Sequence, residues 1–109
     1  MNDPKYIPKD DGLYHIDGYK LPADEPVMTF RGKDIGALYA IVEYIEMLLH
    51  HEMNDVIMSH LLSSTERLQA FYDYQTNNPD LQSIGCTRES HHDYDQIILR
   101  AKDLLEELQ

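Results

Sequence analysis

The feature that most constrains this chain is the run from Asp34 to His51, DIGALYAIVEYIEMLLHH. Ile35, Leu38, Ile41, Val42, Ile45, Leu48 and Leu49 recur at steps of three and four, the period of one helix face. Asp34 stands where an N-cap belongs, with a side-chain oxygen to accept an amide of the first turn. The run predicts a helix over 34–51, and a helix with one apolar stripe must bury it against something.

Two further segments supply that cover. Asn54 and Asp55 form a capping pair ahead of a second helix, predicted over 54–75, with Ile57, Leu61, Leu68 and Phe71 on its apolar face and Met58, Leu62 and Tyr72 beside them. Residues 76–88 collect Asn77, Asn78, Pro79 and Gly85 and read as a connection. A third helix is predicted over 90–108, with Ser90 and Asp93 resembling a capping box and Tyr94, Ile97, Ile98, Ala101, Leu104, Leu105 and Leu108 as its stripe. At 109 residues there is room for one domain and one small core.

The N-terminal third lacks helical periodicity. Residues 1–12 carry Pro4, Pro8 and Gly12 and little to bury, so they are expected to form a flexible arm. LYHI at 13–16 and VMTF at 27–30 read as short strands, with Asp17-Gly18 a turn after the first and 13–32 a hairpin or extended segment. Pro22 and Pro26 keep the preceding residues out of the helical region, Gly32 permits a change of direction, and Arg31 can pair with Asp24 or Glu25. The fold class expected is mainly α: a three-helix domain over 13–109 with a short N-terminal β-hairpin or extended arm.

Charge separates function classes. Twenty acids against nine bases give a formal net charge of −11, spread through the chain: six acids and four bases in 1–32, seven and two in 33–77, seven and three in 78–109. Phosphate backbones and anionic membranes repel such a chain, which argues against direct nucleic-acid and membrane binding and suits a basic partner; solubility is the plain alternative. No apolar stretch has the roughly 18 residues of a membrane span, and residues 1–12 hold no signal-peptide core, so a cytoplasmic location is expected. Cys86 is the single cysteine and reads as incidental.

Catalytic motifs are few. Gly32 and Gly36 lack the lysine and hydroxyl of a P-loop, and no GxSxG occurs. Glu43, Glu46 and His50 fall on one helical face and His91 and His92 follow later, making Glu46, His50, His91 and His92 weak metal candidates. Neither the Glu-x-x-His order of dimetal bundles nor HExxH accompanies them, and solvated histidines are the simpler reading. His92-Asp93 resembles the HD pair of metal-dependent phosphohydrolases, but the ten residues to Asp103 leave no room for the intervening helices. No cofactor and no enzymatic role is expected.

Partner surfaces are the better prospect. Glu43, Glu46, Glu52 and Asp55 are expected on one side, and Asp93, Asp95, Asp103, Glu106 and Glu107 on the last helix. Tyr14 and Tyr19 are candidate anchors, since tyrosine buries a large area at low entropic cost; packing onto the protein itself is the alternative. Ala37, Tyr44, Met47, Met53 and Met58 widen the apolar stripes beyond one side, which suits a homodimer or higher oligomer.

LPADEPVMTFRGKD, residues 21–34, resembles a segment of small uncharacterised phage and prophage proteins, PxDEPVFxLRGxD, carried here by Pro22, Asp24, Glu25, Pro26, Val27, Arg31, Gly32 and Asp34. Met28 stands where that family more often has phenylalanine, and Phe30 where it has leucine. The likeness runs from Tyr19 to Leu49, under a third of the chain. It implies phage origin and no catalytic role, and with it a small acidic protein that modulates or inhibits a host protein through a nucleic-acid-mimicking surface, in the host cytoplasm. A structural homo-oligomer is the alternative, and a metal-dependent enzyme the third.

Overall fold

A computed structural model describes residues 5–83, 86–91 and 93–109. The element order is β1 (Tyr6–Lys9), β2 (Gly12–His15), α1 (Ile35–Leu49), α2 (Asp55–Thr76), β3 (Gln82–Ser83), β4 (Cys86–Thr87) and α3 (Tyr94–Leu108). The protein is mainly α, with three helices and a short N-terminal hairpin. It divides into two compact units, Met1–Arg31 and Gly32–Gln109, so the boundary falls at the end of the proline-rich segment.

In the first unit β1 and β2 pair antiparallel, Tyr6 opposite His15 and Lys9 opposite Gly12. The hairpin therefore differs from the one expected: its first strand comes from the supposed arm, and residues 27–30 form no strand. Asp17-Gly18 does turn the chain. The Gly18 amide donates to the His15 carbonyl at 2.8 Å and the His15 amide to the Tyr19 carbonyl at 2.8 Å. Gly18 sits at φ 100°, where a side chain would be strained. A Tyr14–Lys20 bridge and a 2.8 Å bond from the Leu21 amide to the Leu13 carbonyl then lay a third short segment along β2.

The second unit is built on three helices with identifiable starts. Asp34 caps α1, its carboxylate accepting the Gly36 amide at 2.9 Å, and Asn54 caps α2 by accepting the Ile57 amide at 2.9 Å. The third start departs from expectation. Ser90 does not cap α3: its hydroxyl accepts the Thr87 amide at 2.9 Å, closing a turn that delays the helix to Tyr94. Asp93 occupies the cap position at φ 62°, a left-handed conformation that aspartate tolerates better than most residues, and makes no side-chain cap bond.

The core follows the predicted stripes: Ile35, Leu38, Val42, Ile45 and Leu48 from α1, Leu61, Leu68 and Phe71 from α2, and Tyr94, Ile97, Ala101, Leu104 and Leu105 from α3. Ala37 belongs to this core and not to an outer surface, while Leu49, counted as core in the sequence, is exposed. Burying these side chains supplies the main drive for helix association, at about 25 cal/mol per Å².

One fully buried polar residue ties the three helices together. Gln75 donates from Nε2 to the carbonyls of Gly32 at 3.0 Å and Asp34 at 2.9 Å, and its Oε1 accepts the Tyr94 hydroxyl at 2.8 Å. Arg88 closes the cluster, donating to the Gln75 carbonyl at 3.0 Å while its guanidinium lies 5.2 Å from the Tyr94 ring centroid. A Cβ at Gly32 would lie 3.1 Å from Cδ1 of Tyr74, a tight approach to which that half-exposed ring would have to yield; the Gly32 φ is not positive, so a left-handed turn is not its task.

Candidate functional surfaces

The acids expected on one side, Glu43, Glu46, Glu52 and Asp55, divide into two groups. Glu43 and Glu46 are bound to Arg100 of α3, at 2.8 Å and 2.6 Å. These bonds, the one to Glu46 first, hold the guanidinium above its ordinary pKa. Two of the four carboxylates thus serve to join α1 to α3. Glu52, in the connection, and Asp55, in the first turn of α2, remain exposed.

On α3 the geometry is more favourable. At about 100° per residue, Asp95, Leu99, Asp103 and Glu106 share an outward arc about 80° wide, with Lys102 and Glu107 at its margins. Every one of them is exposed, and Leu99 is 58% exposed at the middle of the arc. The opposite side of the helix carries Tyr94, Ile97, Ala101, Leu104 and Leu105, all buried, so packing of the stripe fixes which way the carboxylates point. Asp93 is exposed at the start of the helix. From Asp95 to Glu106 the rise is about 16 Å.

The tyrosine candidates both lie on the hairpin unit. Tyr14 donates its hydroxyl to Asp11 at 2.9 Å, and Lys9 sits 4.6 Å from its ring centroid. That hydrogen bond raises the Tyr14 pKa and lowers that of Asp11. Tyr19 stacks on His15 at 4.7 Å, and Tyr6 meets the same imidazole edge-on at 5.7 Å. Both tyrosines are therefore engaged with their own unit, Tyr19 remaining 58% exposed.

Among the described residues the histidines lie in separate settings. His50 is the C-cap of α1 and its Nδ1 lies 2.6 Å from the Glu46 carbonyl, to which it donates. The His91 ring packs 5.7 Å from that of Tyr39 and 6.4 Å from that of Tyr94. His92 and the side chain of Cys86 lie outside the described residues. Among the described residues no group of three or more His, Cys, Asp or Glu can hold a metal ion. Nor is any described helix long and apolar enough to cross a membrane.

Sequence reasoning missed the Gln75 cluster and the Arg100 bridge. Gln75 was detectable, because it continues the spacing of Leu61, Ser64, Leu68 and Phe71, a polar residue in phase with a buried stripe. Arg100 carried no comparable signal, since its partners lie 57 and 54 residues away. Comparison with protein-family models, with curated proteins and with solved structures finds no match to the chain.

Proposed function

We propose that this chain is a small acidic accessory protein of the phage type that binds a basic surface of a host protein and modulates or inhibits it. The observation that supports this reading is the outward face of α3, where the exposed Asp95, Asp103 and Glu106 share an arc with the exposed Leu99 and one base, Lys102, lies at the margin. About 16 Å of helix matches roughly five phosphate steps of one DNA strand, so Asp95, Asp103, Glu106 and Glu107 stand in for phosphates against lysines and arginines. Leu99 supplies an apolar centre, and charges at its rim steer encounter and set register. Glu52, Asp55 and Asp93 extend the negative field; Glu43 and Glu46 contribute less because Arg100 neutralises part of their charge.

Capture from host lysate tests it. The tagged protein retains a partner at low salt and loses it as salt rises. An Asp103→Lys/Glu106→Lys variant with unchanged melting temperature loses the same partner, and Glu52→Lys/Asp55→Lys loses less of it. Equal capture by all three overturns the reading.

A structural homo-oligomer is the second reading. It is favoured by Tyr44, Met47, Met53, Val56, Met58 and Leu62, each at least 42% exposed along α1, the α1–α2 connection and the start of α2. A salt-insensitive oligomer that captures no other protein supports it over the first.

A further inference from the structure

Pro26 to Arg31 runs without helix, turn or bend, and no described residue of the chain hydrogen-bonds to its backbone. Met28 is 75% exposed and Val27 42%. Valine, threonine and phenylalanine here favour a strand, yet among the described residues no neighbouring strand pairs with them. We propose that this segment pairs antiparallel with the same segment of a second copy, centred on Met28.

The sequence is self-complementary about that centre. A two-fold pairing puts Met28 opposite Met28, Val27 opposite Thr29, Pro26 opposite Phe30, and Glu25 opposite Arg31. Glu25 and Arg31 are exposed, and among the described residues neither forms an ion pair within its own chain. The dimer closes two identical Glu–Arg pairs. Slipping to a centre on Val27 moves Glu25 opposite Thr29 and Arg31 opposite Ala23, and both pairs are lost.

Backbone chemistry selects the same arrangement. Antiparallel strands alternate between residues that exchange both backbone bonds and residues that exchange none. Pro26 has no N–H, so it must occupy a non-bonded position, and Met28 and Phe30 share its parity. Glu25, Val27, Thr29 and Arg31 then make the inter-chain bonds, and each has the amide to do so. Pro26, Met28 and Phe30 of both copies line one face, while the charge pairs lie on the other.

A strand pair of this length is at the weak end of specific interfaces, so association is read as a function of concentration. Sedimentation velocity on the full chain from about 10 µM to about 1 mM covers the weak range. Glu25→Arg and Arg31→Glu each weaken association about tenfold, because both symmetric pairs become like-charge contacts, and the double variant restores it to within about threefold. On the unmodified chain, amide exchange at Val27 and Thr29 slows with concentration while Met28 is unaffected. A monomer throughout, an effect of one single variant not shared by the other, or a double variant weaker than both singles overturns the proposal, as does protection at Met28. Melting temperatures unchanged by these exposed substitutions keep a folding defect separate. None of these substitutions lies in α3, so this test and that of the acidic surface fail independently.

Discussion

At residue scale, both ends of the Gln75 amide are engaged in a fully buried setting, which makes its removal different from loss of a surface bond. Gln75→Leu strands the Tyr94 hydroxyl and two carbonyls, and the expected loss is roughly 2–4 kcal/mol by urea denaturation. Tyr94→Phe removes one donor and is expected to lose about 1 kcal/mol; the double variant loses less than the sum, since the pair shares a bond. Tyr94 also links stability to pH. Burial, the largest cause, raises its pKa above the ordinary 10.0. The protonated phenol is thus favoured by the fold: this stability is complete below the unfolded value and is lost as pH rises from there through the folded value. Melting temperature is expected to fall at alkaline pH, and less steeply in Tyr94→Phe.

At the scale of elements, helix starts follow from single side chains. Asp34→Ala removes the bond to the Gly36 amide and is expected to destabilise by about 1 kcal/mol while leaving partner capture intact. Lost capture at unchanged melting temperature contradicts a capping role. Arg100→Met unties α1 from α3; the side chain is 40% exposed, so the expected loss is only about 0.5–1 kcal/mol, shrinking further in high salt. These contrasts show what the sequence made legible. Apolar period and the caps Asp34 and Asn54 are local signals, so α1 and α2 were readable almost to their ends. Ser90 was misread because its hydroxyl has two competing uses, and the nearby turn with Thr87 takes it. The hairpin was misread because the strand content of Val27–Phe30 is high while pairing depends on which neighbour arrives first along the chain. Tyr6–Lys9 lies two residues from Gly12, closer than residues 27–30 can be. The outward arc of α3 was legible as a set of acids; that Glu43 and Glu46 are partly neutralised was not, because ion pairing across 54 or more residues leaves no local trace.

At the scale of the whole molecule, a net charge of −11 on 109 residues works against the compact state and in favour of a basic partner. Salt is therefore expected to raise the melting temperature, by screening self-repulsion, while it weakens partner binding. Opposite responses of one protein to the same variable distinguish an interaction surface from acids kept for solubility, for which only the first response is expected. The most direct test of the acidic-surface account is salt-graded capture of a host partner by the unmodified chain beside Asp103→Lys/Glu106→Lys. The account predicts one partner held at low salt, released as salt rises and absent from the reversed variant; retention by both alike, at every salt concentration, contradicts it.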